Sequence, residues 1–170
     1  MLIFLVGFMG SGKSTVGKKL AARLQYDFVD MDKVIELIAG KSIAAIFDEE
    51  GESFFRSKET EVLRSLVGRK NLVVSTGGGT PCHSNNMQWM NEHGVTVYLE
   101  MHPGSIYHRI GKNKNERPLI RHLGDVDLME FIINESDKRK PVYRQAQLVI
   151  KGENVKTEEL EHQLRQIIEK

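Results

Sequence analysis

The residues Gly7-Phe8-Met9-Gly10-Ser11-Gly12-Lys13-Ser14 satisfy G-x-x-x-x-G-K-[ST] at every fixed position. Glycines at these places let the backbone curl so that its N–H groups converge on an anion. A helix beginning just after them adds its positive end. Lys13 then reaches the β- and γ-phosphates of a nucleoside triphosphate, and the Ser14 hydroxyl supplies a ligand for Mg²⁺. The bland reading is a glycine-rich turn that precedes a lysine. The apolar Leu2–Val6 run before the motif and the striped segment after it argue against that reading.

A phosphate cradle does not by itself distinguish a kinase from a GTPase or a motor ATPase. The N-K-x-D signature of guanine readers is missing, since Asn113-Lys114-Asn115-Glu116 lacks the aspartate. No apolar strand ends in an evident second metal-binding acid, because Leu72–Ser75 runs into Thr76-Gly77-Gly78-Gly79.

The remaining candidates belong to an acceptor. Asp30 and Asp32 follow a short apolar run, and ligands of parallel sheets gather beyond the carboxyl ends of strands. Strand alternation would aim both the same way, one toward a metal-bound water and one toward a substrate hydroxyl. The alternative makes Asp32 a helix N-cap and leaves Asp30 in solvent. Three consecutive glycines at 77–79 suggest a close approach of backbone to ligand, or else a sharp turn. Arg56 and Arg139 are surface residues by default. Were they to converge, they would form a fork for a carboxylate. Arg117 lies in a basic stretch bounded by Gly111 and Gly124, where a cation on a moving loop would close over phosphates.

These groups need a frame. Candidate strands are Leu2–Val6, Phe28–Asp30, Leu72–Ser75, Val95–Leu99 and Leu148–Ile150, each brief and apolar as in a sheet covered on both faces. Between them run helical stripes: Val16, Leu20 and Leu24; Phe55, Val62, Leu63 and Leu66; then Leu160, Leu164, Ile167 and Ile168 behind a Thr157 N-cap. The alternation predicts an α/β fold with a mostly parallel sheet. Only Gly111–Asp125 resists assignment to strand or helix.

The 170 residues suit one domain, 40% apolar and 28% charged. A net charge of +1 provides no global field for nucleic acid or an anionic membrane. No apolar run is long enough to span a bilayer. One cysteine, Cys82, and scattered histidines offer neither an internal disulfide nor metal-ligand spacing, which suggests a reducing cytoplasm.

Taken together, these residues resemble the shikimate kinases over nearly the whole chain. The resemblance is carried by the P-loop, Asp30-x-Asp32, Phe55-Arg56-x-x-Glu59, the triple glycine, Arg117-Pro118 and Arg139-x-Pro141-x-Tyr143. It implies a P-loop three-layer sandwich with a five-stranded parallel sheet of order 2-3-1-4-5. It further implies a substrate-binding subdomain at about 31–60 and a lid at about 111–124. It implies ATP as co-substrate with Mg²⁺, and transfer to the 3-hydroxyl of shikimate in aromatic amino-acid synthesis by a cytoplasmic monomer. Mapped onto matching positions, Gly10, Ser11, Gly12, Lys13, Ser14 and Thr15 bind ATP. Ser14 binds the metal, with Asp30 and Ser75 on its waters. Asp32, Arg56, Gly78, Gly79 and Arg139 hold shikimate. Arg109 stacks on adenine, and Arg117 is the lid arginine. Lys13, Asp32 and Arg117 are then the catalytic set. The run Lys112–Asn115 and the loop at Lys151-Gly152-Glu153-Asn154 depart most from the family pattern. The competing readings are another sugar-acid or nucleotide kinase of this fold, or a non-catalytic ATP-binding switch.

Overall fold

A computed structural model describes residues 1–168 of the chain. Five parallel strands form one sheet: β1 (Leu2–Val6), β2 (Asp27–Asp30), β3 (Leu72–Ser75), β4 (Val95–Glu100) and β5 (Leu148–Lys151). Their order is β2-β3-β1-β4-β5, as expected. β1 is central, with Leu5 beside Ser75 of β3 and Val6 beside Tyr98 of β4. The P-loop therefore leaves the middle of the sheet, where strand order reverses.

Alternation along β1 feeds two apolar layers. Ile3 and Leu5, with Val73, Val97 and Leu99, pack on helix α1 (Lys13–Leu24) and on α7 (Thr157–Ile168). Phe4 and Val6, with Leu72 and Val74, meet α2 (Met31–Ala39), α3 (Ile43–Ser65) and α4 (Asn86–His93). A third cluster joins Phe8 to Ile106 and Ile110 of α5 (Pro103–Ile110) and to Leu128 and Ile132 of α6 (Asp125–Tyr143). Ile120 belongs to it, so the 111–124 segment is anchored by a buried side chain.

Three local expectations change. The strand-to-helix boundary falls between Asp30 and Met31, so Asp32 stands in the first turn of α2, where strand alternation does not apply. Asp30 is the N-cap, accepting from the Asp32 N–H at 3.1 Å, which inverts the roles considered for the pair. Leu160 N–H donates to the Lys156 carbonyl, so Thr157 is already inside α7. The segment at 111–124 is less irregular than its composition suggests. It opens as a 3₁₀ turn at Gly111–Glu116, and Lys114 Nζ donates to the Leu123 carbonyl at 2.8 Å.

Helix α3 is two helices joined across a kink at Gly51, whose φ is 84°. An L side chain would resist that backbone.

Candidate active site

The cradle forms because Gly10 and Gly12 take φ values of 77° and 90°, turning the loop back before α1. Lys13 is buried, and its ammonium donates to the Gly7 and Phe8 carbonyls, both at 2.9 Å. Burial pulls its pKa down to about 8; Asp32 opposes that shift and Arg117 adds to it. Ser14 Oγ donates to Asp30 Oδ2 at 2.5 Å and lies 3.2 Å from Ser75 Oγ. Three oxygens from α1, β2 and β3 thus meet at the carboxyl ends of adjoining strands. Thr15 lies exposed on the first turn of α1, at the cradle's edge.

A cavity of about 390 Å³ covers this cradle, lined by Gly10, Gly12, Lys13, Ser14, Thr15 and Arg109 among others. Arg109 reaches from α5 toward the Gly10 and Glu153 carbonyls, 3.4 Å from each. Glu153 in turn accepts from the His102 N–H at 2.9 Å. The loop at 151–154 is thereby joined to α5, a connection that no sequence pattern indicated.

A second cavity of about 700 Å³ lies beside the first. Its polar lining includes Asp32, Arg56, Glu59, the glycines 77–79 and Arg139, and its apolar lining includes Ile43, Phe47, Phe55, Pro118 and Leu119. Met9, Asp30, Asp32, Gly78 and Arg117 line both cavities. The two cavities adjoin at these five residues.

The three glycines earn their places by what presses on them. A side chain at Gly77 would collide with the Glu59 carboxylate, and one at Gly78 would meet Met9 N at 3.1 Å and Arg139 Nη1 at 3.6 Å. One at Gly79 would lie 2.5 Å from the Arg56 guanidinium carbon. Arg56 and Arg139 therefore do converge, on consecutive glycines. Each is already paired: Arg56 with Glu59 at 2.7 Å and Glu52 at 3.1 Å, Arg139 with Glu135 at 3.1 Å.

Sequence reasoning named Glu59 and Tyr143 as carriers of the family resemblance but gave neither a role in holding this arrangement. Glu59, 1% exposed, bridges Arg56 and the Thr80 hydroxyl, which donates to it at 2.6 Å. Tyr143 donates to the Gly78 carbonyl at 2.6 Å, and burial keeps its phenol protonated far above the usual range. Spacing could have found two of the partners, since Glu59 is i+3 from Arg56 and Glu135 is i−4 from Arg139.

Several polar atoms here are buried without a protein partner, among them Asp32 Oδ1, Arg139 Nη1 and Arg117 Nε. Such atoms are costly unless something binds them. Burial, then the Glu59 and Asp30 charges, pushes Asp32 up to about 6, against the pull of Lys13. Burial also lowers the Arg117 pKa, and Asp32 opposes it. Two cations and a carboxylate are gathered at the junction of a phosphate cradle and a cavity with two arginines.

Comparison with known proteins settles the lineage. The shikimate kinase family model matches residues 9–170. The chain belongs to the shikimate kinase family. A shikimate kinase of Bacteroides thetaiotaomicron is 41% identical over 153 residues, covering 90% of this chain and 87% of the relative. The crystal structure of shikimate kinase from that organism superposes with a TM-score of 0.89 at 38% identity, covering 100% of this chain and 99% of the other. A shikimate kinase from Acinetobacter baumannii in complex with shikimate gives 0.88 at 35% identity, covering 98% and 92%. The chain is thus a kinase that uses ATP, and the rival sugar-acid, nucleotide-kinase and silent-switch readings fall away.

Proposed function

We propose that the larger cavity seats shikimate with its carboxylate between Arg56 and Arg139 and its 3-hydroxyl at Asp32, facing ATP in the smaller one. The reaction of this shikimate kinase family member is ATP-dependent phosphorylation of the 3-hydroxyl, giving shikimate 3-phosphate and ADP. The observation that carries the seating is the approach of two guanidiniums to Gly78 and Gly79, beside the Asp32 oxygen that lacks a partner.

On this reading Gly10–Thr15 holds the phosphates, and Lys13 turns from the Gly7 and Phe8 carbonyls to the β- and γ-phosphates. Arg109 stacks its planar guanidinium on adenine. The segment at 111–124 is a lid, and residues at about 31–60 form a substrate-binding subdomain. Arg117 comes from the lid to the transferring group, where positive charge is worth most in the transition state. Asp32 accepts the hydroxyl's hydrogen bond, orients its oxygen for in-line attack and takes the proton as the new bond forms.

The Ser14, Asp30 and Ser75 oxygens fit Mg²⁺, a hard cation that is held by one or two carboxylates, waters and phosphates and needs no protein cage. Among the described residues no group of three or more His, Cys, Asp or Glu side chains is placed to hold a metal ion. When bound there with ATP, the ion neutralises β- and γ-oxygen charge. Ser14 would ligate it directly, and Asp30 through water.

Among the described residues no helix is long and apolar enough to cross a membrane. The reading of a monomer is tested by sedimentation at working concentration, and that of a cytoplasmic protein by cell fractionation. The seating is tested by titrating shikimate into Arg139→Ala. Losing one charge-assisted contact should weaken binding roughly ten- to hundredfold, with nucleotide affinity nearly unchanged. Normal shikimate affinity in that variant defeats the seating.

A further inference from the structure

Arg121 forms an ion pair with Asp48. The two residues come from segments far apart in the chain, and each segment contributes neighbouring residues to the larger cavity, Ala44 and Phe47 from one and Arg117, Pro118 and Leu119 from the other. Asp48 follows Phe47 in the first half of α3, whose segment Ile43–Glu50 lines the cavity with Ile43, Ala44 and Phe47. That segment is flanked by Gly40 and Gly51, with φ values of 67° and 84° and open space around both. Glycines are there for backbone freedom, not for room, and they mark both ends as places to pivot.

Arg121 sits one turn beyond Arg117. Its N–H donates to the Arg117 carbonyl at 3.0 Å, as does that of Ile120 at 3.1 Å. Ile120 is buried in the cluster under the segment, so the turn at 117–121 moves as a unit. Arg121 contacts neither cavity; its guanidinium is spent on Asp48.

We infer that Arg121 and Asp48 are a positioning pair that couples closure over the acceptor to placement of Arg117 over the nucleotide. The inference rests on the seating proposed above. The pair already ties the 43–50 wall to the turn that carries Arg117; acceptor binding against that wall steadies the contact, and with it the placement of Arg117. Binding at either cavity then favours the closed form for the other, and the coupling is reciprocal. An exposed ion pair supports coupling of a few-fold, and salt weakens it.

The test measures shikimate affinity calorimetrically with and without saturating ADP. In the unaltered enzyme ADP should tighten shikimate binding. Asp48→Asn and Arg121→Gln should each cut that tightening by about two- to fivefold, with no further loss when combined. Added salt should bring the unaltered enzyme toward the variants. Exchanging the charges, Asp48→Arg with Arg121→Asp, should restore most of the coupling, which a loss of fold integrity would not allow. Unchanged tightening in either single variant, additive losses, or no tightening in the unaltered enzyme would each overturn the pair's role. These outcomes leave the seating intact if shikimate still binds; absence of shikimate binding in the unaltered enzyme defeats the seating itself.

Discussion

Gly79→Ala isolates what the Arg56 guanidinium contributes. Gly79 has φ −85° and ψ −16°, a conformation open to alanine, so the backbone gains no strain. The added methyl would stand 2.5 Å from Arg56 Cζ and 2.7 Å from Nη2, whereas ordinary carbon contacts begin near 3.4 Å. The guanidinium must retreat by roughly 1 Å, a misplacement large enough to disrupt a built site. It is not a free chain end: Glu59 grips Nη1 at 2.7 Å and Glu52 holds Nη2 at 3.1 Å. On the proposed seating, re-aiming it forfeits a charge-assisted hydrogen bond to the substrate carboxylate, about 1.5–3 kcal/mol or roughly ten- to hundredfold in affinity. The carboxylate is remote from the reacting hydroxyl, so KM for shikimate should rise by that factor while kcat changes little. KM for ATP should stay within about twofold. In an Arg56→Ala background the same methyl has nothing to displace, and its effect should vanish. Steady-state kinetics on the two single variants and the double variant decide. A wild-type KM for shikimate in Gly79→Ala, or effects that simply multiply, refutes the reasoning.

Lys13→Met should fold and keep its thermal midpoint, because the native ammonium is desolvated, yet it should lose most phosphoryl transfer; appreciable turnover would count against the cradle. Nucleotide binding near pH 8.5 should take up a proton, since triphosphate raises a lysine that burial holds at about 8; calorimetry in buffers of different ionisation enthalpy detects it. Asp32 is raised to about 6, so its contribution to stability is fullest below its ordinary value near 3.8 and is lost as pH climbs through about 6. Asp32→Asn should therefore be more stable than the unaltered enzyme at pH 7, on the order of 2 kcal/mol, with the gap closing by pH 4; urea titrations across that range check the sign. Arg117→Ala should lower kcat at least tenfold, and more than it raises KM for shikimate, as expected of a cation that acts in the transition state; unchanged kcat ends that role.

The cradle and the sheet were legible because they are encoded locally. The P-loop motif specifies backbone conformations residue by residue, and five short apolar runs leave few orders for a right-handed parallel sheet. The aspartate pair was not fully legible. Whether Asp32 obeys strand alternation or helical period turns on a boundary one residue wide, and both placements satisfy the same sequence. The triple glycine was read as room for ligand, whereas two of its members yield first to Glu59 and Arg56, from a helix about twenty residues earlier. Such contacts are tertiary and leave no periodic trace. The same holds for the Thr80–Glu59 bond, the Tyr143–Gly78 bond and the Arg121–Asp48 pair.

On the proposed seating, the acids that already grip the two arginines make acceptor binding a replacement of resident carboxylates by an incoming one. Glu52 and Glu135 are partly solvated and free to turn outward, while Glu59 is enclosed and stays. Two resident counter-ions would then give way to one incoming carboxylate, so the arginines are partly neutralised before binding begins. Capture by such paired cations has a shallower ionic-strength dependence than capture of an anion by bare ones. The resident acids also shield the arginines from chloride and stray phosphate, so what gains entry must offer better geometry and not merely negative charge.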